Sequence, residues 1–338
     1  MTTSPENIID TFSPTAIEID ALSFTKLRVE ISPKTDTQLP RFLGSTLRGS
    51  LGWGLKRVTC ALKNEACATC ILNKRCAYAL LFETPPKDSG GALDGQQRIP
   101  HPLILELPND NPGVWKAGTP LVFHLIIIGS AIDHFLHLVA ALYELCDGGL
   151  GKDRVPFELG RIDEVVNANG TVVPLWSGHE RKQINTPGSR TYSSFVPQTN
   201  PANGVTIHFK SVTRLISNGA FEVPIRPVTL VKNILLRSDA LQSVYCATPI
   251  NVNVPEAIAL AEQIEVANDA QHASTIRRWS NRQKKHVTLH GAKGKSEWKG
   301  EAVRHLWPLL RLGEIIHVGK ATIFGLGKYE IVEKAGDK

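Results

Sequence analysis

The string Gly149-Leu-Gly-Lys152 recurs as Gly325-Leu-Gly-Lys328, and each copy stands just before the last strand that we predict for its half of the chain. Upstream of each copy, the hydrophobic patterns predict the same order of elements: strand, helix, two strands, helix. A four-residue repeat alone is weak evidence. Combined with the matching order, it predicts an α+β fold of two tandem ferredoxin-like domains (βαββαβ, RRM-like).

The same patterns predict the domain boundaries. We place a flexible N-terminus at residues 1–20, the first domain at 21–166 and the second at 204–338. The stretch at 167–203 is rich in Pro, Asn, Ser and Gly, which is typical of a connector. In the second domain we predict a helix over Pro255–Asn268 and a strand pair over Arg277–Lys299 that turns at Gly291-Ala-Lys-Gly294.

The first helix, predicted over Leu39–Leu55, carries an unusual number of glycines. Gly44, Gly49 and Gly52 each weaken a helix relative to alanine. Their presence indicates either close packing against another backbone or close approach of a ligand such as RNA.

Composition restricts the class of protein. The 338 residues are 42% hydrophobic and 21% charged, as in ordinary globular proteins. No apolar run reaches the roughly 18 residues that span a bilayer, and the first twenty residues lack the pattern of a signal peptide. We therefore expect a cytosolic protein without a membrane partner, in which the six cysteines are not a disulfide framework.

The positive charge of the chain is concentrated in one segment. Between Arg277 and Arg304 there are nine lysines and arginines against two glutamates, whereas the net charge of the whole chain is only +6. This segment also contains Trp279 and Trp298. Cations near stacking faces favour a nucleic-acid partner, and a solvated strand pair is the alternative.

Four cysteines lie within 17 residues: Cys60, Cys67, Cys70 and Cys76. Four thiolates in a short loop suit a structural zinc ion, and an iron–sulfur cluster is the alternative. We expect Cys146 and Cys246 to be small buried residues.

The last loop, at residues 319–327, is rich in glycine and follows His317. Lys320 follows Gly319, and Lys328 follows the pair Gly325 and Gly327. The spacing matches neither a P-loop nor a dinucleotide fingerprint. The composition suggests a clamp on a nucleic-acid backbone, and ordinary tight turns are the alternative.

Five strings in order resemble the CRISPR precursor-RNA-processing endoribonucleases of the RAMP superfamily, in the branch with an N-terminal cysteine cluster. They are Gly44-Ser-Thr-Leu-Arg-Gly-Ser-Leu-Gly52, the cysteines ending in Cys76-Ala-Tyr78, Gly148-Gly-Leu-Gly151, Arg278-Trp-Ser-Asn-Arg-Gln283, and His317 to Gly327. The resemblance implies cleavage of repeat RNA to mature guide RNA without a catalytic metal, by an enzyme that often stays bound to its product. It also implies 2′-hydroxyl attack on the adjacent phosphate, leaving a 2′,3′-cyclic phosphate and a 5′-hydroxyl.

This chemistry needs a general base, and histidine suits that role. Several relatives place a catalytic histidine on the first helix, but Leu39–Arg57 contains none. We therefore predict His317, or else His286 or His290, as the base, and Lys320 as the cation that stabilises the phosphorane. For His317 the alternative is that it merely ends the preceding helix.

The residues that we predict to contact RNA lie in the first helix, the basic segment and the last loop. They are Arg48, Arg278, Arg282, Lys284, Lys285, Gly319, Thr322, Gly325, Gly327 and Lys328. The missing first-helix histidine leaves open a second function, a non-catalytic subunit that holds guide RNA among other Cas proteins. A scaffold that docks partners through the cysteine loop is a third.

Overall fold

The computed structural model describes residues 19–63, 65–83, 99–108, 111–178, 184–196, 204–246, 251–280 and 283–333. Its strands are β1 (Phe24–Pro33), β2 (Thr37–Gln38), β3 (Leu103–Glu106), β4 (Val114–Trp115), β5 (Leu121–Ile128), β6 (Phe157–Val165), β7 (Val172–Ser177), β8 (Val205–Thr213), β9 (Ile216–Ser217), β10 (Ala220–Phe221), β11 (Glu265–Asp269), β12 (His272–Ser280), β13 (Lys285–Lys299) and β14 (Tyr329–Glu333). Its α-helices are α1 (Gly44–Thr59), α2 (Phe135–Gly148), α3 (Tyr192–Phe195), α4 (Pro227–Leu241), α5 (Val254–Glu262), α6 (Glu301–His305) and α7 (Trp307–Ile316).

Each half of the chain forms one antiparallel sheet with the ferredoxin-like strand order. The first sheet runs β3-β5-β1-β6-β7, and the second runs β11-β13-β8-β14, with β12 paired to one end of β13. In both, the first strand of the domain lies between the third and the fourth. The predicted tandem ferredoxin-like fold is therefore confirmed.

The glycines of the recurring Gly-Leu-Gly-Lys strings have positive φ angles in both domains. Gly149 and Gly151 have φ of 73° and 82°, and Gly325 and Gly327 have φ of 83° and 75°. A side chain disfavours this left-handed conformation, which explains the paired glycines. Between them, Leu150 and Leu326 are both buried in the core.

Three elements differ from the sequence-based prediction. Residues 172–177, assigned to the connector, form β7 at the edge of the first sheet, where β7 pairs with β6. The helix predicted to Asn268 ends at Glu262, and Glu265–Asp269 is strand β11. The N-terminus at 1–18 lies outside the described residues.

The third difference concerns the strand pair of the basic segment. Its turn lies between Ser280 and Lys285, whereas Gly291 and Gly294 lie inside β13. An added Cβ at Gly291 would collide with the carbonyl of Thr213 on β8, and Gly294 lies at a register shift with φ of 116°. These glycines permit close approach and a bulge, so they do not mark the turn.

Two large apolar clusters form the cores. The first-domain cluster lies almost wholly in that domain, and the second-domain cluster also includes first-domain residues such as Phe24 and Ile126. The glycine-rich loop joins them, because Ile323 packs in the first-domain cluster and Val318 in the second-domain cluster. No helix in the described ranges is long and apolar enough to cross a membrane.

Candidate nucleic-acid interface

An open cleft separates helix α1 from the pair β12–β13. It has two lobes of about 860 and 1110 Å³, and Ser45, Gly49, Trp53 and Trp279 line both of them. The first lobe extends towards Cys60 and Tyr78, and the second extends towards the first Gly-Leu-Gly-Lys string and His286. The cleft thus lies between the two domains.

Most charged side chains on the walls of this cleft are cationic. Those of the first lobe are Arg48, Lys56, Arg57, Lys63, Arg278 and Glu83. Those of the second are Lys152, Arg154 and Asp153. Glu83 accepts a hydrogen bond from the Tyr78 hydroxyl at 3.0 Å. The walls therefore attract a polyanion.

Helix α1 contributes most of the first wall through residues three or four positions apart. Ser45, Gly49, Trp53 and Lys56 repeat at that spacing and share one face. An added Cβ at Gly49 would meet nothing within 4 Å, whereas one at Gly54 would lie 2.5 Å from the Ala141 oxygen of α2. The two explanations for the glycine-rich helix therefore apply to different residues. Gly54 allows close packing against α2, whereas Gly49 borders open space beside the cleft.

The ring of Phe324 contacts two guanidinium groups from different domains. The Arg48 guanidinium is 5.0 Å from the ring centroid and that of Arg278 is 4.4 Å away. Arg48 also lies 5.3 Å from the Phe82 ring. Cation–π contacts of this kind fix both arginines at the floor of the first lobe.

Among the described residues, His286 is the histidine that lines the cleft. It pairs with Trp279 across the strands, and the two rings meet edge to face with centroids 5.2 Å apart. His290 is also exposed and on the same face of β13, but it does not line either lobe. Lys284 and Lys285 are exposed at the turn of the hairpin, and Arg282 lies outside the described residues.

The structure contradicts the prediction that His317 is the general base. Its side chain is fully buried, and Nε2 lies 3.4 Å from Oε1 of Glu106 in β3. Burial lowers the pKa of this imidazole, although Glu106 opposes that effect. His317 also ends α7 in a left-handed conformation with φ of 53°, in agreement with the alternative reading. It cannot reach an RNA on the surface.

Glu106 is the centre of a buried polar cluster that joins the domains. Besides His317, it pairs with Lys26 at 2.8 Å and with Lys328 at 3.6 Å. Burial opposes ionisation of Glu106, but Lys26, the His317 hydrogen bond and Lys328 outweigh it and hold the carboxyl pKa well below its usual value. Burial also lowers the pKa of the neighbouring His124 to about 4.

The glycine-rich loop packs inside the protein, which corrects its prediction as an RNA clamp. An added Cβ at Gly319 would lie 2.6 Å from the Arg214 oxygen, and one at Gly325 would lie 2.6 Å from the Leu107 side chain. Gly327 is similarly enclosed by Val318. These glycines therefore allow the loop to pack closely against neighbouring backbone and side chains.

The other predicted residues of this loop do not line the cleft. Thr322 is buried and accepts a hydrogen bond from Arg237 at 3.0 Å. Lys328 is committed to Glu106 and Glu330. Lys320 is exposed but lines neither lobe. Trp298, which we expected as a stacking face, is fully buried.

The cysteine loop follows α1 directly, and Cys60 lines the first lobe. Cys60, Cys67, Cys70 and Cys76 are partly buried free thiols. In the described parts of the chain, no group of three or more His, Cys, Asp or Glu side chains is placed to hold a metal ion. A structural zinc ion held by these four thiolates therefore stays a prediction. Cys146 is buried as predicted, and burial raises its pKa to about 12.

Two family models cover most of the chain. Residues 22–188 match a model described as an N-terminal domain, AF_1859_N. Residues 207–329 match the model of the CRISPR-associated endoribonuclease Cas6. The second domain therefore matches the Cas6 family. The recognition made from its motifs is thereby confirmed.

Solved Cas6 structures share its fold. Thermus thermophilus Cas6 TTHB231 superposes with a TM-score of 0.53 at 15% identity, over 92% of this chain and 99% of that one. The product complex of the same protein gives 0.53 at 16% identity, over 91% and 99%. A partial Cas6-RT-Cas1–Cas2 complex gives 0.51 at 14% identity, over 94% of this chain and 47% of that one. No curated protein matches the chain in sequence.

Four of the residues that line the cleft were predicted from the sequence: Arg48, Arg278, Trp279 and His286. Trp53 and the cations of the Gly149–Arg154 segment were not. For Trp53 the signal is present in the helical spacing that puts it on one face with Ser45 and Gly49. Lys152 and Arg154 come to the cleft only through the fold.

Proposed function

We propose that the chain is a metal-independent endoribonuclease that cuts CRISPR repeat RNA to mature guide RNA and stays bound to the product. The cleft between α1 and β12–β13 carries this proposal. It combines cationic walls with two exposed tryptophans on a Cas6-type fold, which suits the phosphates and bases of RNA. Retention of the product follows if most contacts are made to nucleotides on one side of the cut.

The proposed reaction transfers the phosphoryl group within the RNA, from the 5′-oxygen of one nucleotide to the 2′-oxygen of its neighbour. A base removes the proton of the ribose 2′-hydroxyl, and the oxygen attacks the adjacent phosphorus. The bond from phosphorus to the 5′-oxygen then breaks, and that oxygen takes up a proton. The products are a 2′,3′-cyclic phosphate and a 5′-hydroxyl. The rate depends on in-line geometry and on cations that stabilise the phosphorane.

We assign the proton transfer to His286. Its ring is exposed in the second lobe, and Trp279 supports it from one side. Arg48 and Lys56 on α1 line the first lobe, and they replace Lys320 as the proposed phosphorane stabilisers. Arg278 faces them from β12.

A non-catalytic guide-RNA carrier is the second candidate. It is favoured by the scarcity of acid–base groups, since His286 is the cleft's one histidine among the described residues and α1 carries none. Both functions predict tight RNA binding, so only cleavage separates them. The fold shared with the Cas6 unit of a Cas6-RT-Cas1–Cas2 complex supports the further proposal that other Cas proteins bind this chain.

The test is incubation of the purified protein with end-labelled repeat RNA in excess EDTA, beside a copy with a 2′-deoxy nucleotide at the cut. One cut that the deoxy substitution abolishes is expected. His286→Ala should slow the cut with little loss of affinity, and His290→Ala, on the same strand face outside the cleft, serves as its control. Binding without a cut would favour the carrier, and full activity of His286→Ala would remove His286 from the mechanism.

A further inference from the structure

The chain has six tryptophans, and they divide sharply by exposure. Four are buried with at most 5% of their surface exposed: Trp115, Trp176, Trp298 and Trp307. Trp53 and Trp279 are 45% and 47% exposed, and both line both lobes of the cleft. Because a tryptophan ring gains much free energy from burial, two exposed rings in one cleft indicate a ligand that covers them.

Each of these rings is held in place by a neighbour. The Arg57 guanidinium lies 4.9 Å from the Trp53 ring centroid, and that ring lies so close to Gly148 that an added Cβ there would be 2.8 Å from it. Trp279 is supported edge to face by His286. Both rings are therefore fixed before a ligand arrives, which reduces the entropy cost of stacking on them.

The surrounding charge identifies the chemistry of the ligand. Lys56 and Arg278 line the first lobe beside these rings, and Lys152 and Arg154 line the second. A ligand that combines repeated negative charge with flat apolar faces is a nucleic acid. In a duplex those faces already stack on each other, so only unpaired nucleotides offer them to a protein.

We propose that Trp53 and Trp279, one from each domain, each stack on an unpaired base, so that the cleft holds a single-stranded stretch of the repeat RNA rather than a duplex stem. The inference rests on the proposed function and names the class of RNA structure that the cleft accepts. The aromatic faces fix the register of the strand, and the cations of the two lobes hold its phosphates.

The experiment measures the dissociation constant for the repeat RNA carrying a 2′-deoxy nucleotide at the cut, by fluorescence anisotropy. Trp53→Ala and Trp279→Ala should each weaken binding about 5- to 150-fold without changing its salt dependence, because no charge is removed. Phe221→Ala is the control, since this exposed aromatic lies beside Arg214 outside the cleft. Trp53→Leu and Trp279→Leu, with thermal melts of all variants, separate lost stacking from lost folding.

An abasic scan of the same RNA then locates the bases. In the wild type, removing one unpaired base should weaken binding, and in the matching tryptophan variant the same removal should cost almost nothing. If abasic sites matter only in the paired stem, or if both alanine variants bind normally, the inference is overturned. Lys56→Ala separates failure of this inference from failure of the proposed function. If Lys56→Ala binds more weakly while both tryptophan variants bind normally, the proposed function is retained and the inference is overturned. A wild type that fails to bind repeat RNA would overturn both proposals.

Discussion

Two glycines of helix α1 should respond in opposite ways to the same substitution. Replacing a glycine by alanine inside a helix stabilises it by about 0.5–1 kcal/mol, when the added methyl group meets nothing. Gly49 satisfies this condition, because an added Cβ has no neighbour within 4 Å. We therefore expect Gly49→Ala to stabilise the protein by about that amount.

Gly54→Ala gains the same helix propensity but also pushes against α2. Its Cβ would lie 2.5 Å from the Ala141 oxygen, which is closer than real contacts allow, and 3.0 Å from Cβ of Glu144. Overpacking of this kind costs roughly 1–3 kcal/mol. Because the propensity gain is common to both variants, the difference between their unfolding free energies isolates the packing cost.

Urea unfolding followed by tryptophan fluorescence measures this difference, provided that the slope of the transition is unchanged. If Gly54→Ala is as stable as Gly49→Ala, the packing of α1 on α2 described above is wrong. Gly49 also tests whether RNA occupies the cleft. Gly49→Leu should fold normally but bind repeat RNA more weakly than Gly49→Ala, and equal affinities would mean that RNA does not approach α1 there.

Three further predictions concern charge and metal. Glu106→Gln should lower the unfolding free energy by about 3–5 kcal/mol, because it leaves Lys26 and Lys328 near an uncharged group. The control Glu330→Gln, at the surface, should lower it by at most about 1 kcal/mol. Equal urea midpoints for the two variants would contradict this prediction. Burial raises the pKa of Glu314 to about 7. Between pH 4.5 and 7 the folded chain therefore keeps a proton that the unfolded chain has lost. The unfolding free energy should fall by roughly 2–3 kcal/mol as the pH rises through this range. Glu314→Gln should flatten that decrease, and an unchanged profile would exclude Glu314 as its cause. Elemental analysis should find one zinc per wild-type chain and none after Cys67→Ser; iron would favour the cluster, and a metal-free wild type would show the zinc expectation to be wrong.

The fold was predictable because its signals are local. Strands β1, β5, β6 and β8 alternate or run apolar, and the two glycine strings mark equivalent positions of the two domains. Strand β11 was missed for the opposite reason. All five residues of Glu265–Asp269 are exposed at the edge of the second sheet, so no hydrophobic period distinguishes them from the end of a helix.

The site was only partly predictable because its decisive contacts join distant parts of the chain. His317 and Glu106 are 211 positions apart, and their contact buries a histidine that sequence proximity to the basic segment had made a candidate base. His286 could be proposed from sequence because it lies within that segment, but its preference over His290 depends on which of the two lines the cleft. Local charge thus predicted a nucleic-acid partner and could not choose the residues.

The glycine-rich loop shows how a motif can serve a site without touching its ligand. Gly319, Gly325 and Gly327 let the loop pack tightly between the domains, and this packing fixes Phe324 against α1. Phe324 in turn contacts Arg48 of the first domain and Arg278 of the second. The spacing of two cations across the cleft therefore depends on the docking of the domains, so a substitution that loosens the loop should weaken RNA binding without removing any RNA contact.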